Sequence, residues 1–344
     1  MALQANPIVI KELRARMRGG RPYLILSGYL LGLSLICFGV LRIFAAQAQN
    51  GMMIVSAHVG QGLFTALALA LTLLITFLTP ALTAGAISGE REQLTYDLLV
   101  ATPLRPGRIL SGKLIAALWY VLLLMFAVVP LGSIVLLFGG VAPRDLLKAL
   151  VLLLLTMLAS GMLGLLCSAV ARRTMRATIM AYLIIMALIG GAYFYLILRA
   201  ATQQAGPTIS SRVIAVSPFS AMTSIVLRNS SQPVLFDKRV ALGGIGMGGG
   251  MPFDANMLLN MEPFNALSYG LIDYGKDMGP TVLPIYRYAY VGYPLFSIVC
   301  YWLASHFVRP RRRWRIAWLD ALMLLLLTAV FAAGSYWLNI WPWS

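Results

Sequence analysis

Residues 63–88, LFTALALALTLLITFLTPALTAGAIS, run without a break into residues 89–113, GEREQLTYDLLVATPLRPGRILSGK, and this junction decides the fold. The first stretch carries no charged residue and exceeds the ~20 apolar residues that cross a hydrocarbon core about 30 Å thick. The second is polar and charged, and a further apolar run, Leu114–Phe138, starts directly after it. Inside lipid every backbone N–H and C=O has to pair within its own segment. Runs this long and this uniformly apolar do not fit barrel strands, so the unit read here is membrane helix, polar connection, membrane helix.

Working outward, the same reading places further spans at Tyr23–Ala46, Leu146–Ala171, Ala177–Leu198, Tyr286–Phe307 and Ala317–Ile340. The chain of 344 residues is 60% hydrophobic and 11% charged, with a mean hydropathy of +0.83, whereas soluble domains carry about 25% charged residues. The expected fold class is all-α, a polytopic membrane helix bundle with about seven spans. An interfacial helix precedes it. Asn6 and Pro7 offer an N-cap and a first-turn proline, and Ile10, Leu13 and Met17 recur at helical spacing with Lys11, Arg14 and Arg18 on other faces. The apolar stretch that follows is longer than the roughly 7–15 residues of a cleavable signal, so this helix is expected to stay on the protein.

A net charge of +16 invites a nucleic-acid reading, because a basic patch is the footprint of a phosphate binder. The placement of the charge argues for a membrane instead. Of 27 Lys and Arg, 17 fall within Lys11–Arg21, Arg91–Lys113, Arg172–Arg176 and Arg309–Arg315, four connections that share one side if the spans are right. That is the positive-inside pattern, and it puts the N-terminus in the cytoplasm, the C-terminus outside, and the protein in a bacterial inner membrane. Membrane lipids, not nucleic acid, are the expected surroundings. The segments that result are an interfacial helix at 1–22, a five-span bundle at 23–198, an extracytoplasmic segment at 199–285, and two C-terminal spans at 286–344 with a basic cytoplasmic loop at 308–316. Within 203–285 five basic residues balance five acids, and a long loop crosses largely regardless of charge. Ser217-Pro218 followed by Phe219 to Leu227 can start a short amphipathic helix there.

No catalytic, metal or cofactor site is read in the chain. Gly107 to Lys113 matches G-x-x-x-x-G-K, but position 114 is Leu where a phosphate loop needs a hydroxyl for magnesium. Gly244 to Gly249 fits G-x-G-x-x-G without the strand or the acidic partner of a dinucleotide site. Cys37, Cys167 and Cys300 lie apart in apolar runs and read as packing residues. His58 and His306 fall at opposite membrane edges, and Asp320, the one carboxylate inside a span, lies near the basic cluster around Arg315. An ion path through the membrane would need more buried charge than this.

The informative segment is therefore Gly89–Lys113. Glu90 and Glu92 suit the positive end of a new helix, Leu94, Leu98 and Leu99 give it an apolar stripe, and Thr102-Pro103 stops it. A helix of this kind either lies on lipid alone or fits the groove of a cytosolic partner.

The succession G-E-R-E, Thr95, Asp97, Leu98-Leu99, A-T-P-L and Gly112-Lys113 resembles the coupling segment of ABC transporter permeases of the ABC-2 type, those similar to type V exporters. Asn6-Pro7 through Lys11-Glu12-Leu13-Arg14 is similar to the N-terminal interfacial helix of that family. The resemblance implies a permease without a catalytic site, paired with a second permease copy or paralogue and with a cytosolic ABC ATPase subunit. It implies that a cytoplasmic coupling helix at 89–103 seats in the ATPase through Glu90, Arg91, Glu92, Thr95, Asp97, Leu98, Leu99, Thr102 and Pro103. Leu94 stands where the family often has glycine, and Asp97 where it often has glutamate. The seventh span and the length of the outer segment also depart from the family, and they leave a structural or assembly subunit of a larger membrane complex as the alternative function.

Overall fold

The computed structural model describes residues 20–49, 56–94, 106–202, 216–229 and 285–308, with the isolated positions 14 and 329. All regular structure among these residues is helical: α1 (Arg21–Gln49), α2 (Ser56–Thr83), α3 (Ser88–Glu92), α4 (Pro106–Ala127), α5 (Val129–Phe138), α6 (Pro143–Val170), α7 (Thr174–Thr202), α8 (Pro218–Asn229) and α9 (Ile285–Val308). Five stretches are long and apolar enough to cross a membrane: Tyr23–Ala46, Val59–Glu92, Leu110–Phe138, Pro143–Val170 and Thr174–Ala192. They match the first five expected spans. The sixth expected span coincides with the 24-residue α9, which is helical but is not among the stretches long and apolar enough to cross. The seventh, the N-terminal interfacial helix and the basic loop at 309–315 lie outside the described residues.

Two boundaries differ from the reading of the sequence. The second rod does not close at Gly89. Pro80 cannot donate a backbone bond, and residues 84–87 form a turn, but the carbonyls of Pro80, Gly85 and Ile87 accept from Ala84, Gly89 and Arg91 at 2.8, 3.0 and 3.1 Å. Helix therefore resumes at Ser88 and ends only at Gln93. Leu94 follows with φ of +57° and 84% of its surface exposed, a left-handed conformation that costs an L-residue about 1–2 kcal/mol and glycine almost nothing. This accounts for the glycine that the resemblance leads one to expect there. The third rod is longer than Leu114–Phe138 and is broken: it begins at Pro106 and is interrupted at Val128, two residues before Pro130.

Helix α6 is the axis of the bundle. Its buried residues run from Ala149 to Ala169 and α2, α4, α7, α8 and α9 all pack against it. Between apolar helices in lipid there is little hydrophobic driving force, so close packing and hydrogen bonds carry the association. The α2–α6 seam shows both. Thr72, Thr76, Thr79 and Thr83, at spacings of four, three and four, are buried, and their hydroxyls donate to the carbonyls of Ala68, Thr72, Ile75 and Thr79. With their hydrogens satisfied inside α2, Thr79 presents its methyl group and Thr83 its hydroxyl oxygen to the small residues of α6. Gly161 and Gly164 meet them, and a Cβ on Gly164 would fall against Thr83 Oγ1 and 3.0 Å from Pro80 Cα.

The short helix expected after Ser217-Pro218 is present as α8, but it is a core element. Ser220, Ala221, Met222 and Ile225 are almost fully buried against the bundle. Ser224 Oγ accepts from the backbone N–H of Tyr286 at 3.1 Å, and Tyr290 donates to the Lys148 carbonyl at 2.8 Å, so the first turns of α9 meet the middle of α8 and the start of α6. Gln61 Nε2 donates to the Gly140 carbonyl at 3.0 Å, joining the start of α2 to the α5–α6 connection.

Candidate functional site at the basic end of the bundle

Connections expected on one side of the membrane meet at one end of the structure. The α2–α3 turn and the described start of the Gly89–Lys113 segment lie against the first turns of α4, the end of α6 and the start of α7. Ile87, Leu110, Leu114, Leu165, Ala169 and Ala304 form the apolar floor beneath them.

Four ties root the segment on this floor. The Ser168 hydroxyl of α6 accepts from the backbone N–H groups of Ile87 and Ser88 at 2.9 and 3.0 Å. These two donors sit where the helix restarts, so a side-chain oxygen from another helix caps α3. Lys113 is 3% exposed and its Nζ lies 2.6 Å from Glu90 Oε1, forming a buried ion pair between α3 and α4. Arg91 donates to the Ala171 carbonyl at 3.3 Å, just past the end of α6. The Glu92 carboxylate accepts from both the N–H and the hydroxyl of Thr174, at 3.0 and 2.7 Å. Thr174 opens α7, so the carboxylate sits at the positive end of that helix.

The Thr174 hydroxyl and N–H, with Arg173 nearby, hold the Glu92 carboxyl below its ordinary value of 4.5. The depressed pKa makes this contact stabilising above the ordinary carboxylate range and removes that contribution as pH falls through the lowered value. The melting temperature of the purified protein is therefore expected to exceed that of Glu92→Gln at neutral pH, with the gap closing in acid. A gap that stays constant from neutral pH to well below 4.5 would show that the carboxylate charge plays no part.

Of the nine residues assigned to ATPase coupling, Glu90, Arg91 and Glu92 are brought together here, each bonded to the chain's own helices. Thr95, Asp97, Leu98, Leu99, Thr102 and Pro103 lie outside the described residues. Sequence reasoning missed Ser88, Ser168, Ala171 and Thr174. A short-range signal exists only for Ser88, which precedes Gly89; the other three are about 80 positions from their partners. The Gly107–Lys113 stretch, which a motif scan can mistake for a phosphate loop, forms the first turns of α4. It is helix, and its lysine is paired with Glu90.

A bundle of helices long and apolar enough to cross a membrane, with a short charged helix rooted on three of them, defines a multi-pass membrane protein. A family model for ABC-2 family transporter proteins matches residues 55–337, well over half of the chain, and the protein belongs to that family. No curated protein matches the chain in a direct comparison.

Proposed function

We propose that the protein is the permease subunit of an ATP-driven exporter in the bacterial inner membrane, moved by a separate cytosolic ATPase that grips the segment after Glu92. The observation that supports this most is the rooting of that segment. Ser168, Lys113, Ala171 and Thr174 tie five of the six residues from Ile87 to Glu92, all but Gly89, to α4, α6 and α7. A lever transmits force only if its base is rigid, and a helix lying on lipid alone has no need of a buried ion pair. In this reading Glu90, Arg91 and Glu92 position the lever. Leu98, Leu99, Thr102 and Pro103 are the ones offered to the ATPase, through an apolar face that fits a groove. The N-terminus is cytoplasmic, and a second permease copy or paralogue completes the pathway.

The test is co-purification of the full chain with its ATPase. Leu98→Asp is expected to weaken the hold on the ATPase tenfold or more, equivalent to ~1.4 kcal/mol. The melting temperature of the permease itself should hold. A complex that survives both Leu98→Asp and Leu99→Asp rules the assignment out.

A further inference from the structure

Helix α7 has two faces. Ala177, Ala181 and Ile185 are buried, whereas Arg176, Ile179, Leu183 and Met186, at spacings of three, four and three, fall on the opposite side. All four are exposed, Leu183 by 63%. Gly190 continues this face, and nothing stands within 4 Å of a Cβ added there. Because Thr174–Ala192 is long and apolar enough to cross a membrane, the exposed side is turned towards lipid or towards another protein.

The charge at its foot decides between them. Arg172 and Arg173 precede α7 and are exposed, as is Arg176 in its first turn. Arg173 lies near the Glu92 carboxylate, which Thr174 holds. Arg172 and Arg176 form no ion pair among the described residues. From Arg176 to Ile179 the helix rises only about 4.5 Å, so a molecule that covers this face is anionic at one end and apolar directly beyond it. From Arg176 to Met186 the rise is about 15 Å at 1.5 Å per residue, half of the ~30 Å hydrocarbon core. That is the depth of the acyl chains of one leaflet. A second copy of the chain presenting the same face would set arginine against arginine, because a two-fold interface pairs a patch with itself. An acidic soluble surface could not follow the stripe below the headgroups.

We infer that the exposed face of α7 binds an anionic glycerophospholipid from the leaflet at the basic end of the bundle, with its phosphate between Arg172 and Arg176 and an acyl chain along Ile179, Leu183 and Met186. Guanidinium matches phosphate through paired N–H···O bonds. A zwitterionic lipid carries its own cation beside the phosphate and gains less from the two arginines. The site requires neither an ATPase nor a direction of transport, so it stands or falls apart from the reading above.

The full-length protein in vesicles of phosphatidylcholine with a minor share of phosphatidylglycerol is to be photolabelled with phosphatidylglycerol or phosphatidylcholine probes that carry the same diazirine on an acyl chain. At equal probe concentration the anionic probe should label peptides covering Ile179 to Met186 more strongly. Arg172→Gln with Arg176→Gln should lower that ratio tenfold or more, since each basic residue at the surface contributes roughly fivefold to the attraction of an anionic lipid. The ratio on Leu31 and Leu35, exposed on α1, should not change, and the melting temperature in phosphatidylcholine alone should hold. A ratio near one on the unaltered protein would overturn the inference whatever the variant does. So would an equal fall on α1, or an α7 face that neither probe reaches, the result expected if a second copy or another protein covers it.

Discussion

Replacing Lys113 by methionine is expected to cost the folded protein about 3–5 kcal/mol, the usual result of leaving one half of a buried ion pair without its counter-charge. The geometry favours the lower part of that range, because Glu90 keeps some contact with solvent. Lys113 is 3% exposed and Glu90 19% exposed, and they meet at 2.6 Å. Burial of Lys113 removes most of the solvation on the lysine side of the pair, while Glu90 stays part-exposed and recovers some of its own in the variant. The double variant Lys113→Met with Glu90→Leu removes both charges and should recover most of the loss, because apolar replacements of buried pairs are often neutral. Denaturant titration of the purified protein reads both numbers. If the double variant is as unstable as the single one, the lysine acts through other contacts and the strut account of α3 fails. Transport adds a second reading: an apolar pair restores stability without restoring the fixed direction of a short charge-assisted bond, so coupling should recover less than stability does.

The second large effect lies in the α2–α6 seam. Gly164→Val is expected to destabilise by about 3 kcal/mol, at the upper end of overpacking costs. Its Cβ lands against Thr83 Oγ1 and close to the backbone of Pro80, and neither Pro80 Cα nor Pro80 O can rotate away. Gly164→Ala should cost less, because alanine recovers about 1 kcal/mol of helix propensity relative to glycine. Pairing Gly164→Ala with Thr83→Ala removes the side-chain clash and leaves the backbone one, so only partial rescue is predicted. Full rescue would mean that the seam is looser than the contacts imply. At Gly190, where nothing lies within 4 Å of the added carbon, alanine should cost nothing.

Much of the architecture was legible because lipid imposes a length and an internal pairing rule on each segment. The uncharged runs around Leu63–Ser88 and Leu146–Ala171 could not be read as anything but helices. Helix ends were less legible. The rod through Pro80 continues to Glu92 because carbonyls across the 84–87 turn still find donors, and no local pattern announces this. The break at Val128 had a signal in Pro130, but an apolar run long enough to span concealed it. Threonines 72, 76, 79 and 83 have a seven-residue rhythm that a hydropathy reading scores as neutral, although it marks the face that meets Gly161 and Gly164.

The candidate site was half visible. Glu90 and Glu92 drew notice as residues suited to a helix start, yet their partners, Lys113 and Thr174, lie 23 and 82 positions away. Charge at a helix N-terminus and charge in a long-range ion pair look alike in one dimension. Leu94 is the clearest case of the backbone departing from the sequence pattern. Its sequence reading as the first residue of a helical stripe with Leu98 and Leu99 is corrected by the structure: the helix ends at Gln93, and φ of +57° at Leu94 shows why glycine is at home there. Helix α8 could be found from Ser217-Pro218, but its burial depends on α2, α6 and α9, far along the chain.

Site-specific photo-crosslinking in intact cells reaches the central claim most directly. With a benzophenone side chain at position 98 or 99, the prediction is a covalent adduct between this chain and a nucleotide-binding subunit, and none from the same group at Ile36, on the exposed face of α1. Adducts at 98 and 99 with lipid alone would contradict the proposal that an ATPase drives this bundle through that segment.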